Sequence, residues 1–204
     1  MAMPPTDHVS KILVSLIDEQ CEKEKRQDIW GDSNYKNVVK LQSNNAGIVG
    51  ESLINDICKA SGIDASCNGA KTKAIGGGSG DGHILGIPIE IKTSHQGSYL
   101  PTFQHELGEN PWKYGKYMIF VDIAPKCIYL TIFENFDEMT YKSNRKLVGI
   151  FPTKQITWRK KHGAFKLDTS VKINESSVSN GNAIKIVSNT SVTEVASFIR
   201  SKIV

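Results

Sequence analysis

Three side chains with chemistry to offer stand close together in the run Gly76-Gly77-Gly78-Ser79-Gly80-Asp81-Gly82-His83-Ile84-Leu85-Gly86-Ile87-Pro88-Ile89-Glu90-Ile91-Lys92. Successive side chains of a strand point to opposite faces. Ile87, Ile89 and Ile91 therefore share a buried face, and Glu90 and Lys92 share the other. Asp81 follows a glycine-rich approach, and a short hairpin at Gly86-Ile87 returns it to the same end of the sheet. Two carboxylates and an ammonium converging on a rigid sheet make a site for a hard divalent cation. Mg²⁺ takes a few carboxylates plus waters, and a neighbouring lysine orients or helps deprotonate a water that attacks a phosphodiester. Glu90-Ile91-Lys92 is the single place in the chain where Asp or Glu is followed two residues later by Lys. A solvated amphipathic edge strand would explain the alternation but not the glycine-rich approach or the upstream acid.

This pattern resembles the PD-(D/E)XK nuclease superfamily, with Asp81, Glu90 and Lys92 at the D, E and K of its motif. Gly80 stands where that family usually carries proline. The resemblance implies a metal held by Asp81, Glu90 and the Ile91 carbonyl, with Lys92 acting on the attacking water. It also implies a role for an acid on the helix before the motif sheet, a place that Glu51 matches, as a further metal-site residue. Read from its residues alone, Glu51 lies near the start of a helix over Ala46 to Cys58, where a negative charge also favours the helix dipole. Both readings stand.

The elements that position these groups are legible in part. Apolar residues at helical spacing predict a helix from about Asp7 to Lys25, with a stripe of Val9, Ile12, Leu13, Leu16, Ile17 and Gln20. Asp28 to Asn45 reads as an irregular connection, and Asp64 to Lys73 as a first strand or a loop. Tyr99 to Tyr114, with two prolines and Gly108, leaves room for at most a short helix. Tyr117–Ile123, Ile128–Phe133 and Lys146–Phe151 read as strands, and Ser191-Val192-Thr193-Glu194 as a capping box opening a final helix. Asn174 to Asn182 is Ser- and Asn-rich and linker-like. This order predicts one α/β (α+β) domain over residues 1–204, with a central mixed sheet flanked by helices. The resemblance implies the same restriction-endonuclease-like architecture. The catalytic core is expected at about 46–133 and a DNA-contacting region at about 153–190.

Composition sets the frame. The chain has 204 residues and a formal net charge of +4, which permits a polyanionic partner without demanding one. No apolar run approaches a membrane span, so no membrane partner is expected. Cys21, Cys58, Cys67 and Cys127 show no metal-ligand spacing and read as reduced thiols of a cytoplasmic protein.

The densest basic cluster, Trp158 to Lys166, offers Arg159, Lys160, Lys161 and Lys166 to DNA phosphates or guanine edges. A second candidate surface, Ser94, His95 and Gln96, follows Lys92 directly. With the resemblance, these features lead to an expectation: a Mg²⁺-dependent, sequence-specific endonuclease acting on double-stranded DNA, most like a type II restriction enzyme of a restriction-modification system. Cutting both strands at a palindrome would call for a homodimer. Alternative readings are a Holliday-junction resolvase, a mismatch-repair-type nicking endonuclease, and a non-catalytic nucleic-acid-binding module.

Overall fold

The structure is a computed structural model that describes residues 9–24, 28–67, 80–98, 100–143 and 156–204. The glycines 76–79, the expected strand over Lys146–Phe151, and Asp7, Lys25 and Tyr99 lie outside the described residues.

Among the described residues nine strands and five α-helices form a single α+β domain. In chain order the elements are α1 (Val9–Glu24), α2 (Ser43–Ala60), β1 (Ala65–Cys67), β2 (Gly82–Ile84), β3 (Ile87–His95), β4 (Thr102–Gly108), β5 (Tyr117–Ile123), β6 (Ile128–Glu134), α3 (Glu138–Lys142), β7 (Thr157–Arg159), β8 (Ala164–Ser170), α4 (Val171–Ser179), β9 (Ala183–Ile186) and α5 (Val192–Lys202). A six-stranded mixed sheet runs β1-β2-β3-β5-β6-β9, parallel between β3 and β5 and antiparallel elsewhere. A second, antiparallel sheet runs β4-β8-β7.

β5 is buried along its whole length, which requires cover on both faces. On one face Ile89, Ile91, Ile119, Val121 and Leu130 pack with Ile54 and Ile57 of α2 and with Val195 and Ile199 of α5. On the other face Met118, Phe120 and Phe133 meet Leu107, Phe165 and Leu167 of the second sheet and Tyr141 of α3. Glu90 and Lys92 alternate with Ile89 and Ile91, so they face the second sheet. The final helix begins as its capping box requires, with Ser191 Oγ accepting from the Glu194 N–H at 3.2 Å.

Three expectations need correction. The Tyr99 to Tyr114 segment holds a full strand, β4, in which buried Phe103, His105 and Leu107 alternate with exposed Gln104 and Glu106. Period-two burial overrides the glycine and prolines that flank it. The linker-like Asn174 to Asn182 stretch belongs largely to α4, capped by Ser170. Asn174 and Ser177 are fully buried there, because a buried carboxylate, Asp122, supplies a partner for the Asn174 amide at 2.7 Å. α2 starts at Ser43, so Glu51 sits mid-helix, out of reach of the N-terminal dipole. The expected first helix is present as α1, and its apolar stripe is exposed, with Val9 to Lys23 all exposed and Ile12 at 64%. No helix among the described residues is long and apolar enough to cross a membrane.

Candidate active site

The β2–β3 hairpin turns through Leu85 and Gly86, both with positive φ, and sets Gly82 opposite Ile89. That register carries Asp81 alongside Glu90. The Asp81 N–H donates to the Ile89 carbonyl at 2.9 Å. Its carboxylate oxygen Oδ2 accepts from the Ile91 N–H at 2.8 Å. The side chain therefore continues the ladder where β2 has not yet begun. Gly80 holds a backbone conformation that excludes proline before Asp81. Its φ is +87°, which proline cannot adopt, and a Cβ there would fall 2.3 Å from the Ile89 carbonyl oxygen.

Asp81 is 1% exposed and Glu90 4%. The Lys92 ammonium bonds to Glu90 Oε1, and its side chain retains 24% exposure. Burial alone would lower the Lys92 pKa, but the charges of Glu90 and Asp81 outweigh it and hold the group above its ordinary value. Lys92 is thus a firm ammonium beside two carboxylates. One apolar wall is Tyr141, 1% exposed; burial first and then the nearby Glu90 charge raise its phenol pKa above the ordinary value, which keeps the hydroxyl protonated.

Glu51 is half-buried on the opposite face of the sheet from Glu90, on α2. One turn later Asn55 Oδ1 accepts from the Cys67 N–H at 3.3 Å, so this face of α2 looks onto β1. Cys67 pairs with Gly82, the neighbour of Asp81. The Cys67 thiol feels burial first, then the charges of Cys58, Glu51 and Asp81, and is pushed up to about 12. α2 can come this close because Gly50 lies against Thr93; a Cβ at Gly50 would be 1.9 Å from the Thr93 hydroxyl.

Among the described residues no three His, Cys, Asp or Glu side chains form a group able to hold a metal ion. Glu51 is therefore not gathered with Asp81 and Glu90 into one cluster. Mg²⁺ commonly takes only one or two carboxylates and completes its shell with water. Asp81 and Glu90 meet that requirement. The Ile91 carbonyl points to the same edge of β3 as the Ile91 N–H that bonds Asp81, which adds a third hard oxygen.

The expected DNA residues fall into two sets. Ser94, His95 and Gln96 are half-buried and tied into the fold. Ser94 Oγ accepts from the Gln104 N–H at 3.0 Å, His95 packs edge-on to Trp30, and the Gln96 N–H donates to the Ile123 carbonyl at 2.9 Å. Arg159, Lys160 and Lys161 are exposed at the tip of the β7–β8 hairpin. Lys166 sits back on β8, 3.4 Å from Asp168. Register aligns Gly108, Phe165 and Trp158 in one row across the second sheet, so the basic tip projects from the β4 end that carries Gly108. Trp158 is 46% exposed and packs on Phe165.

One polar cluster escaped the sequence reading. Asp122 accepts from Thr169 Oγ1 at 2.5 Å and from Asn174 Nδ2 at 2.7 Å, and its Oδ1 lies 2.7 Å from His105 Nε2, all buried. It joins β5 to β4, β8 and α4. The signal was an aspartate inside an otherwise apolar strand. A scan against family models and searches of curated proteins and of solved structures each found no match to this chain.

Proposed function

We propose that this chain is a Mg²⁺-dependent endonuclease that hydrolyses phosphodiester bonds of double-stranded DNA at specific sites, in the manner of a type II restriction enzyme. The observation that carries the reading is the Asp81–Ile91 hydrogen bond with the Glu90–Lys92 pair beside it. It supports two hard-oxygen acids and one ammonium as a fixed unit, Glu90 and Lys92 on β3 and Asp81 at the entry to β2, the groups that the PD-(D/E)XK motif requires.

Asp81, Glu90 and the Ile91 carbonyl would hold the metal, which when bound supplies Lewis-acid neutralisation of charge on the reacting phosphate. Lys92 would orient the attacking water through its N–H donors, as its ammonium state suits it to do. Glu51 would act from the margin through water. Arg159, Lys160 and Lys161 would take DNA phosphates, with Trp158 packing against the backbone, while Lys166 is partly neutralised by Asp168. Ser94, His95 and Gln96 would shape the floor of the site. Double-strand cleavage at a palindrome would be performed by a two-fold homodimer. The free cysteines suit a reducing, cytoplasmic setting.

Incubating supercoiled plasmid with the protein in Mg²⁺ and in EDTA, then sequencing the ends, tests this directly. Discrete linear fragments in Mg²⁺ alone are expected. Nicked circles would move the assignment to a repair-type nickase, selective cutting of four-way junctions to a resolvase, and binding without cutting to a non-catalytic module.

A further inference from the structure

Tyr114 belongs to no motif, yet the fold brings it to the candidate site. Its neighbour Gly115 lies against β3 so closely that a Cβ there would come within 2.4 Å of the Ile89 Cα. A Cβ at Gly80 would in turn lie 3.2 Å from the Gly115 nitrogen. The segment carrying Tyr114 is therefore pressed against the backbone between Asp81 and Glu90. Asn135 clamps that segment: its side-chain amide donates to the carbonyls of Pro111 at 2.9 Å and Gly115 at 3.1 Å. Asn135 is itself held by the Tyr141 hydroxyl, which donates to its Oδ1 at 2.7 Å.

The other side of Tyr114 is made by a glycine. Gly108 follows a bulge in β4 and has φ +80°, and a Cβ there would stand 3.1 Å from the Tyr114 hydroxyl. The phenol occupies the space that a side chain at that position would fill. It is half-buried, and it lies within electrostatic range of the Lys92 ammonium. Because Gly108 begins the row that runs through Phe165 to Trp158, Tyr114 lies against the end of the second sheet that carries the basic hairpin tip.

A phenol O–H is a neutral donor, suited to an anionic oxygen at a place where a further cation would compete with a metal. We propose that Tyr114 is a substrate-binding residue whose hydroxyl donates a hydrogen bond to a non-bridging phosphate oxygen of duplex DNA beside Lys92. This rests on the nuclease reading above.

The test compares wild type, Tyr114→Phe and Gly108→Ala in single-turnover cleavage of a duplex oligonucleotide in Mg²⁺. Binding of the same duplex is followed by fluorescence anisotropy in EDTA, and folding by thermal melting. Tyr114→Phe removes only the donor, so its cleavage rate should fall about tenfold to a hundredfold, the scale of a hydrogen bond to a charged group, with weaker metal-free binding and an unchanged melt. Gly108→Ala should shift both readouts in the same direction by crowding the hydroxyl, and it should also lower the melt because Ala is strained at φ +80°. Wild-type cleavage with Tyr114→Phe matching it within twofold in rate and affinity overturns the Tyr114 contact alone. A wild-type protein that leaves the duplex intact in Mg²⁺ overturns the nuclease reading and the contact with it.

Discussion

The Asp81 carboxylate accepts the Ile91 amide hydrogen at 2.8 Å, so one of the two candidate metal ligands is also part of the β-ladder. Loss of that acid therefore has two consequences that can be separated. Asp81→Ala leaves a buried amide without its acceptor, which destabilises by about 1–3 kcal/mol. Asp81→Asn keeps a side-chain acceptor and should retain most of that stability while losing the charge needed for Mg²⁺. Denaturant unfolding should rank wild type, Asn and Ala in that order, and calorimetry should find Mg²⁺ binding in wild type only. Equal stabilities for the two variants would mean that the hydrogen bond contributes nothing.

Asp122 offers a contrast, since it is no part of the motif and joins the two sheets. Asp122→Ala removes the common partner of His105, Thr169 and Asn174, three buried polar groups. A loss of about 3–5 kcal/mol is expected in urea unfolding, the range for breaking a buried hydrogen-bonded charge network. A loss under 1 kcal/mol would show that water replaces the carboxylate easily.

Thiol reactivity gives a check on the packing near Glu51 and Asp81. Burial raises the Cys58 pKa to about 11, against a smaller lowering by Arg200, and burial followed by neighbouring negative charges raises Cys67 to about 12. Because only the thiolate alkylates, both stay inert near pH 8 and gain reactivity only as the pH climbs toward those values. Exposed Cys21 should take up iodoacetamide first. Mass spectrometry showing Cys67 modified as fast as Cys21 in folded protein would contradict this packing.

For the DNA surface, the measurement is the salt dependence of binding. Arg159, Lys160 and Lys161 are exposed together at one hairpin tip. Changing all three to Ala should reduce the slope of log affinity against log salt by up to about three phosphate contacts. An unaltered slope would move the DNA surface to the face around Ser94 and Gln96.

Much of this site was legible because strand alternation is a local rule. Ile89 and Ile91 on one face with Glu90 and Lys92 on the other follows from period two alone, and the structure agrees: the isoleucines join the α2 side of the core, while Glu90 and Lys92 pair in register with Met118 and Phe120 on the other side. The capping box at Ser191 was equally local. What escaped depends on partners distant in sequence. Asn174 and Ser177 look like loop residues because their side chains compete for backbone hydrogen bonds, yet Asn174 is helical and buried with its amide on a carboxylate from β5. Tyr114 gave no signal, because its position depends on Asn135 and on two close approaches made by Gly108 and Gly115. The α1 stripe shows the reverse case: periodicity marks an apolar face but cannot say what that face meets.

The central claim is that Glu90 and Lys92 serve one hydrolytic site, and single-turnover cleavage of a plasmid by Glu90→Gln and Lys92→Ala measures it most directly. Glu90→Gln should abolish cutting in Mg²⁺ while DNA binding persists, and Lys92→Ala should slow it by at least about a hundredfold, the scale of losing a positioned catalytic group. Cleavage by both variants at rates within tenfold of wild type would contradict the account.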